Sequence, residues 1–244
     1  MLFLQKIIGT YAMQKPYIKL IQANKGRNEA LIFVNGYQMK DNENSKLWSS
    51  YLRRANWKGS IYQLWWDSGS EYGRKYSMSP LGKIPILNEL VHSYPHWRMV
   101  LKRAKISGSK YLPSLLLSIP ENEVSFIGYS LGCRLIHYGL QEFDSRLSLT
   151  SLKNIILLAG AIRTIRWEKI AINITGKIYN LYNRDDDVLN YLFTHFGAYP
   201  YKPCGVKKIK TQCQNIENID ITQLINTKSH DLELYLKVLT KFFF

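Results

Sequence analysis

Short apolar runs alternate with amphipathic stretches along most of the chain, and this alternation predicts strands separated by helices. Residues 30–34 (Ala-Leu-Ile-Phe-Val) are apolar without interruption, as a central parallel strand buried on both faces requires. That run ends at Asn35-Gly36-Tyr37, and residues 17–22 before it read as an edge strand. Leu47, Trp48, Tyr51 and Leu52 stand at helical spacing and predict a helix over 45–54. Gly59 leads into a strand over 61–66, closed by Asp67-Ser68-Gly69-Ser70. Residues 71–95 read as irregular, because Gly73, Pro80, Gly82 and Pro85 break any long period. Over 96–117 the helical pattern returns through Trp97, Val100, Leu101, Ala104 and Leu112, with Pro113 expected to break or kink it. Further strands are expected at 123–127, 154–160, 176–182 and 216–221, and helices at 131–140, 163–171 and 231–242. Strands alternating with helices in this way predict an α/β chain whose doubly wound, mostly parallel sheet carries helices on both faces. A single domain over 1–244 is expected, with its core over 30–244 and residues 1–29 as an N-terminal edge segment.

The most informative stretch is Val124 to Leu140, where an apolar run meets Gly128-Tyr129-Ser130-Leu131-Gly132 and then a helix-like segment. A serine on a sharp strand-to-helix turn projects its hydroxyl from the sheet edge, and only small residues two positions away on each side leave room for that backbone. Gly128 and Gly132 meet this requirement. The helix beginning at Leu131 aims its first N–H groups at the same point, where they stabilise negative charge on an attacked carbonyl oxygen. A second donor is expected from the loop after the 30–34 strand, with Tyr37 first and Gly36 next. The five-residue spacing alone also occurs in ordinary turns; its place between a strand and a helix gives it weight. Tyr129 and Trp66 are candidates for the substrate pocket, although packing is the simpler reading of the tryptophans.

A serine hydroxyl needs a base, and a histidine base needs a carboxylate to fix its tautomer. Of the five histidines, His92 and His96 precede the serine in a proline-containing segment, His137 lies within the following helix and His195 near the end of another. His230 alone falls in a loop after the last strand, and it is the expected base. Asp185, Asp186 and Asp187 follow the penultimate strand. Such a run also suits a helix N-cap or a cation site. Asp186 is the first choice for the orienting acid and Asp185 the second. The order Ser130, Asp186, His230 is that of the α/β-hydrolase fold.

Composition narrows the picture. The 244 residues, 46% hydrophobic, are enough for one sizeable core. No apolar run reaches the ~18 residues a membrane helix needs, and the N-terminus lacks the charged start of a signal peptide. A cytoplasmic location follows as the expectation, with peripheral membrane contact left open. Three cysteines, Cys133, Cys204 and Cys213, form neither a disulfide framework nor a metal motif, and no cofactor or metal is called for. The net charge of +15 favours anionic partners, but the bases are spread along the chain and no nucleic-acid-binding signature accompanies them. Nucleic acid is therefore not expected as a partner.

Four stretches, VSFIGYSLGCRLIHYGL, NIILLAGAI, IYNLYNRDDDVLNYLF and IENIDITQLINTKSHDLEL, resemble in this order the core of a hydrolase-like family catalogued as a domain of unknown function. That family includes eukaryotic transmembrane-and-coiled-coil-domain proteins. Upstream, IFVNGY and LWSSYLRRANWKGSIYQLWWDS resemble its opening strand and its tryptophan-bearing helix and strand, so the likeness spans 30–244. The family's Asp-x-Val-Leu falls on Asp186 and its Gly-His on Ser229-His230; Cys133, Ser229 and Asp187 depart from the usual alanine, glycine and aromatic. The flanking membrane segments of some relatives have no counterpart here, so the chain reads as the catalytic core. The resemblance implies an α/β-hydrolase fold and hydrolysis, without naming a substrate. The combined expectation is a serine hydrolase of an ester, thioester or lipid acyl bond, with a non-catalytic binding or assembly protein as the rival. The short connection over 161–175 leaves little material for a lid, so a large substrate, such as an acyl group on an anionic lipid, fits the expectation.

Overall fold

The computed structural model describes residues 13–39, 41–69, 87–143, 150–195 and 202–243. Its strands are β1 (Tyr17–Gln22), β2 (Glu29–Val34), β3 (Ser60–Trp65), β4 (Glu123–Tyr129), β5 (Ser151–Leu158), β6 (Ile178–Tyr182) and β7 (Ile216–Asp220). They form one sheet in the order β1-β3-β2-β4-β5-β6-β7. Only the edge pair β1 and β3 is antiparallel; the other pairs are parallel. All six residues of β2 are buried, as a strand covered on both faces demands.

The helices are α1 (Asp41–Arg54), α2 (Leu87–Ile106), α3 (Leu112–Leu116), α4 (Leu131–Gln141), α5 (Glu168–Ala171), α6 (Asp187–His195), α7 (Thr222–Ile225) and α8 (Leu232–Phe243). One layer pairs α1 with α8, and the other packs α2 and a π-helical turn, Ser107–Tyr111, against α4. The chain runs from β2 outward to β3 and then back across to β4. Connections therefore leave β2 and β4 in opposite directions, and the loops at their carboxyl ends open a crevice.

Two expectations are corrected. Helix α2 begins at Leu87, inside the stretch read as irregular, and runs through Pro95. Pro95 is exposed, while His96, Trp97, Val100, Leu101 and Ala104 are buried, so core packing offsets the lost backbone bond. Pro113 lies in the first turn of α3, where its missing N–H has no intrahelical role. Residues 70–86 lie outside the described residues. The helix expected over 163–171 is confined to Glu168–Ala171. Residues before it pair instead with a later loop, through an Arg163–Pro203 bridge and a Lys210 N–H bond to the Thr164 carbonyl (2.9 Å). Among the described residues, no helix is long and apolar enough to cross a membrane.

Below the sheet's amino ends, Glu29 is buried but not isolated. It accepts from Ser125 Oγ (2.9 Å) and pairs with Lys153 and Arg27. His137, on α4, is 1% exposed. Its Nε2 donates to the Arg166 carbonyl (3.2 Å), and the Trp167 ring stands edge-on at 4.6 Å. Burial, and after it the charge of Arg163, lower its pKa from 6.5 to about 3. The unfolded chain takes up this proton first, so stability is complete above pH 6.5 and falls as pH drops toward 3. His137→Gln is expected to remove about 1.4 kcal/mol per pH unit from the acid slope between pH ~6 and ~4. Urea unfolding of both proteins across that range checks this, and identical slopes would refute it.

Candidate active site

Between the last residue of β4 and the first of α4, Ser130 adopts φ 52° and ψ −117°, a conformation that side-chain-bearing residues avoid. Three backbone hydrogen bonds hold it there. Its N–H donates to the Leu158 carbonyl (2.9 Å), and its carbonyl accepts from Ala161 (3.0 Å) and Cys133 (3.2 Å). The flanking glycines are required by close approach. A Cβ on Gly132 would stand 2.2 Å from the Val34 carbonyl oxygen, and one on Gly128 would stand 2.7 Å from Ile136 Cδ1.

His230 Nε2 lies 2.9 Å from Ser130 Oγ, and His230 Nδ1 lies 2.6 Å from Asp186 Oδ2. Of the three consecutive aspartates, Asp185 and Asp187 are exposed, whereas Asp186 is fully buried. Asp186 Oδ1 accepts the Leu189 N–H (2.9 Å), so the same carboxylate caps α6 and faces His230. Its Oδ2 also accepts the Tyr235 hydroxyl (3.2 Å). With donors on both oxygens, this carboxylate does not fit the cation-site reading, and no metal-holding group of His, Cys, Asp or Glu occurs among the described residues.

The His230 loop is fastened to the Asp186 loop. Asp187 N–H donates to the Lys228 carbonyl (3.0 Å), and Asn183 Nδ2 donates to the Thr227 carbonyl (2.9 Å). From the other side, Tyr129 Oη donates to the His230 carbonyl. Burial, and after it the charge of Asp186, push the Tyr129 and Tyr235 phenols well above their ordinary pKa. Both therefore remain donors. Burial likewise raises Cys133, which stays a thiol.

The two loops expected to supply oxyanion donors meet at the serine turn. Leu131 is the first helical residue of α4, where an N–H has no intrahelical acceptor. A Cβ on Gly36 would touch Ser130 Cβ at 2.9 Å, so the loop after β2 passes directly against the nucleophile turn. Gly36 N–H donates to Met39 Sδ (3.1 Å), which engages the second-choice donor in this arrangement. The Tyr37 ring is pinned by its hydroxyl on His96 Nδ1 (2.7 Å) and by the edge of Trp97.

Trp66 and Tyr129 require correction as pocket residues. Trp66 is 2% exposed and its indole donates to the Asn35 carbonyl (2.9 Å), so it supports the loop from beneath. Tyr129 is also buried and supports the His230 backbone. Sequence reading missed Asn35, held by Trp48 at its side chain (2.8 Å), and missed Asn183, Met39 and Tyr235. For Tyr235 no local signal exists, since its helical spacing marks it only as core. Asn35 was visible as the residue before the loop glycine, but its tryptophan partners lie far along the chain.

Residues 87–242 match the family described as "Protein of unknown function (DUF726)". The chain belongs to this family. It is similar to an uncharacterized membrane protein of Schizosaccharomyces pombe, with 31% identity over 133 residues covering 53% of this chain and 17% of that protein. It is also similar to the transmembrane and coiled-coil domain-containing protein STS1 of Oryza sativa subsp. japonica, with 28% identity over 147 residues covering 59% and 22%. The chain spans about a fifth of the length of these relatives. Among solved structures, the poly(3-hydroxybutyrate) depolymerase LpqC of Bordetella parapertussis aligns with a TM-score of 0.50 at 10% identity, over 97% of this chain and 90% of that one. The shared architecture is the α/β-hydrolase fold.

Because a Gly132 methyl would collide with rigid backbone rather than with a movable side chain, Gly132→Ala is expected to destabilise by about 3 kcal/mol. Denaturant unfolding measures this, and a change within experimental error would contradict the close-approach argument.

Proposed function

We propose that this chain is a serine hydrolase that cleaves an ester, thioester or lipid acyl bond through an acyl-enzyme. The observation that carries the reading is the continuous hydrogen-bonded path from Ser130 Oγ through both ring nitrogens of His230 to buried Asp186.

For Oγ to donate to Nε2, the proton of the neutral imidazole must sit on Nδ1, where Asp186 accepts it. Ser130 then attacks the acyl carbonyl while His230 takes its proton, and Asp186 stabilises the imidazolium that forms. The carbonyl oxygen, now an anion, lies before the N–H groups of Leu131 and Tyr37. On collapse His230 returns the proton to the departing oxygen or sulfur, leaving an ester on Ser130. Water, deprotonated by His230, repeats the sequence and releases the acid. The chemistry needs no cofactor.

A fluorophosphonate probe tests the proposal by reacting covalently with an activated serine. Wild type is expected to label, Ser130→Ala to lose labelling, and His230→Ala and Asp186→Asn to label about 10³- to 10⁴-fold more slowly. Folded wild type that fails to label would favour the non-catalytic binding reading.

A further inference from the structure

The connection after β5 and the loop before β7 lie side by side. Cys204 N–H donates to the Ile162 carbonyl (2.8 Å), and Lys210 N–H donates to the Thr164 carbonyl (2.9 Å). Together, residues 161–172 and 202–213 carry seven basic residues and a single acid, Glu168. Lys202, Lys207, Lys208, Lys210, Arg166 and Lys169 are exposed, and among the described residues none of these six is drawn into an ion pair. Ile172, which follows Lys169 by three residues, is 77% exposed, the most exposed large apolar side chain among the described residues.

The charges stand on a rigid base. Pro203, Cys204, Gly205, Val206 and Ile209 are buried beneath the lysines. Asn180 Nδ2 donates to the Lys207 carbonyl (3.2 Å), and Asn218 Oδ1 accepts the Ile209 N–H (2.7 Å). These two bonds use the backbone of the loop, and its lysines are left exposed. The loop that carries these lysines is tied to the segment after the nucleophile turn, since Gly205 N–H donates to the Gly160 carbonyl (2.9 Å) beside the Ala161 bond to Ser130.

We infer that this face is a docking surface for an anionic lipid bilayer, with the lysines against headgroups and Ile172 inserted as a shallow apolar anchor. Two features distinguish a lipid surface from a nucleic acid. Single-stranded nucleic acid binds through exposed aromatic rings interleaved with charge, whereas Trp167, the only aromatic residue on these two segments, is fully buried. An exposed aliphatic side chain on the same pair of segments as the exposed bases is instead the pairing that interfacial membrane contact uses. The inference does not depend on hydrolysis.

Flotation with vesicles of phosphatidylcholine, alone or with about one-third phosphatidylserine, tests it on the whole chain. Binding is expected to the anionic vesicles only, falling as salt rises. Reversing Lys202, Lys207, Lys208 and Lys210 to Glu should lower that affinity by about 100-fold or more. The same reversal at exposed Lys15, Lys19, Lys25 and Lys58, near the β1 edge, changes net charge equally and should leave most of the binding. Ile172→Ser should weaken binding several-fold at unchanged charge, and circular dichroism shows whether each variant is folded. Equal losses in the two charge-reversed variants would overturn the assignment to this face. Equal binding to neutral vesicles, or tighter salt-dependent binding to an oligonucleotide, would overturn the lipid surface itself.

Discussion

The structure depends on holding one serine in a backbone conformation that an isolated chain avoids. Ser130 at φ 52° is stable only because β5 and the segment after it supply a carbonyl and an N–H on one side, while Cys133 closes the turn on the other. The end of β2 presses against the same turn, close enough that Gly132 admits no side chain. Strand order, glycine positions and the register of β2 and β5 against β4 therefore belong to one constraint. Strain of this kind persists only where the surroundings over-determine it.

Around that turn the sheet acts as an assembler. The parallel strands β2, β4, β5 and β6 share one direction, and the reversal of winding between β2 and β4 opens a crevice at their carboxyl ends, near which lie the loops of residues 35–39, 130–131, 183–186 and 226–230. The polar side chains there serve two purposes at once. Asp186 caps a helix and holds His230; Asn183 shapes the aspartate turn and ties down the loop that presents the histidine. Tyr129 and Tyr235 reach the same pair from opposite elements, and their burial keeps them as donors. Orientation is thus fixed by hydrogen bonds satisfied on every side, as a buried carboxylate requires.

The distribution of charge adds a second organisation. Two interior acids are paired with bases, Asp67 with Arg103 and Glu29 with Lys153, whereas the lysines of residues 202–210 are exposed on a loop held through its backbone. The buried base of that loop is bonded to Gly160, one residue before the Ala161 N–H that holds the serine turn.

Local pattern was enough for the strands, for the serine turn and for the histidine ahead of the closing helix, because an apolar run, a glycine spacing and a loop position are written within a few neighbouring residues. It failed where distant packing decided. Residues 71–95 looked irregular, yet α2 begins at Leu87 and five buried residues beyond Pro95 carry it through that proline; residues 163–167 looked helical, yet a loop forty residues away paired with them. The sequence by itself determined the α/β class and offered Ser130, His230 and a run of three aspartates. Only the tertiary structure turned Asp186 inward and left Asp185 in water, brought Tyr235 to its carboxylate, and set Trp66 beneath Asn35 rather than in a pocket. The physical reason is that burial and hydrogen-bond partnership belong to pairs of elements, and no window of consecutive residues contains both members.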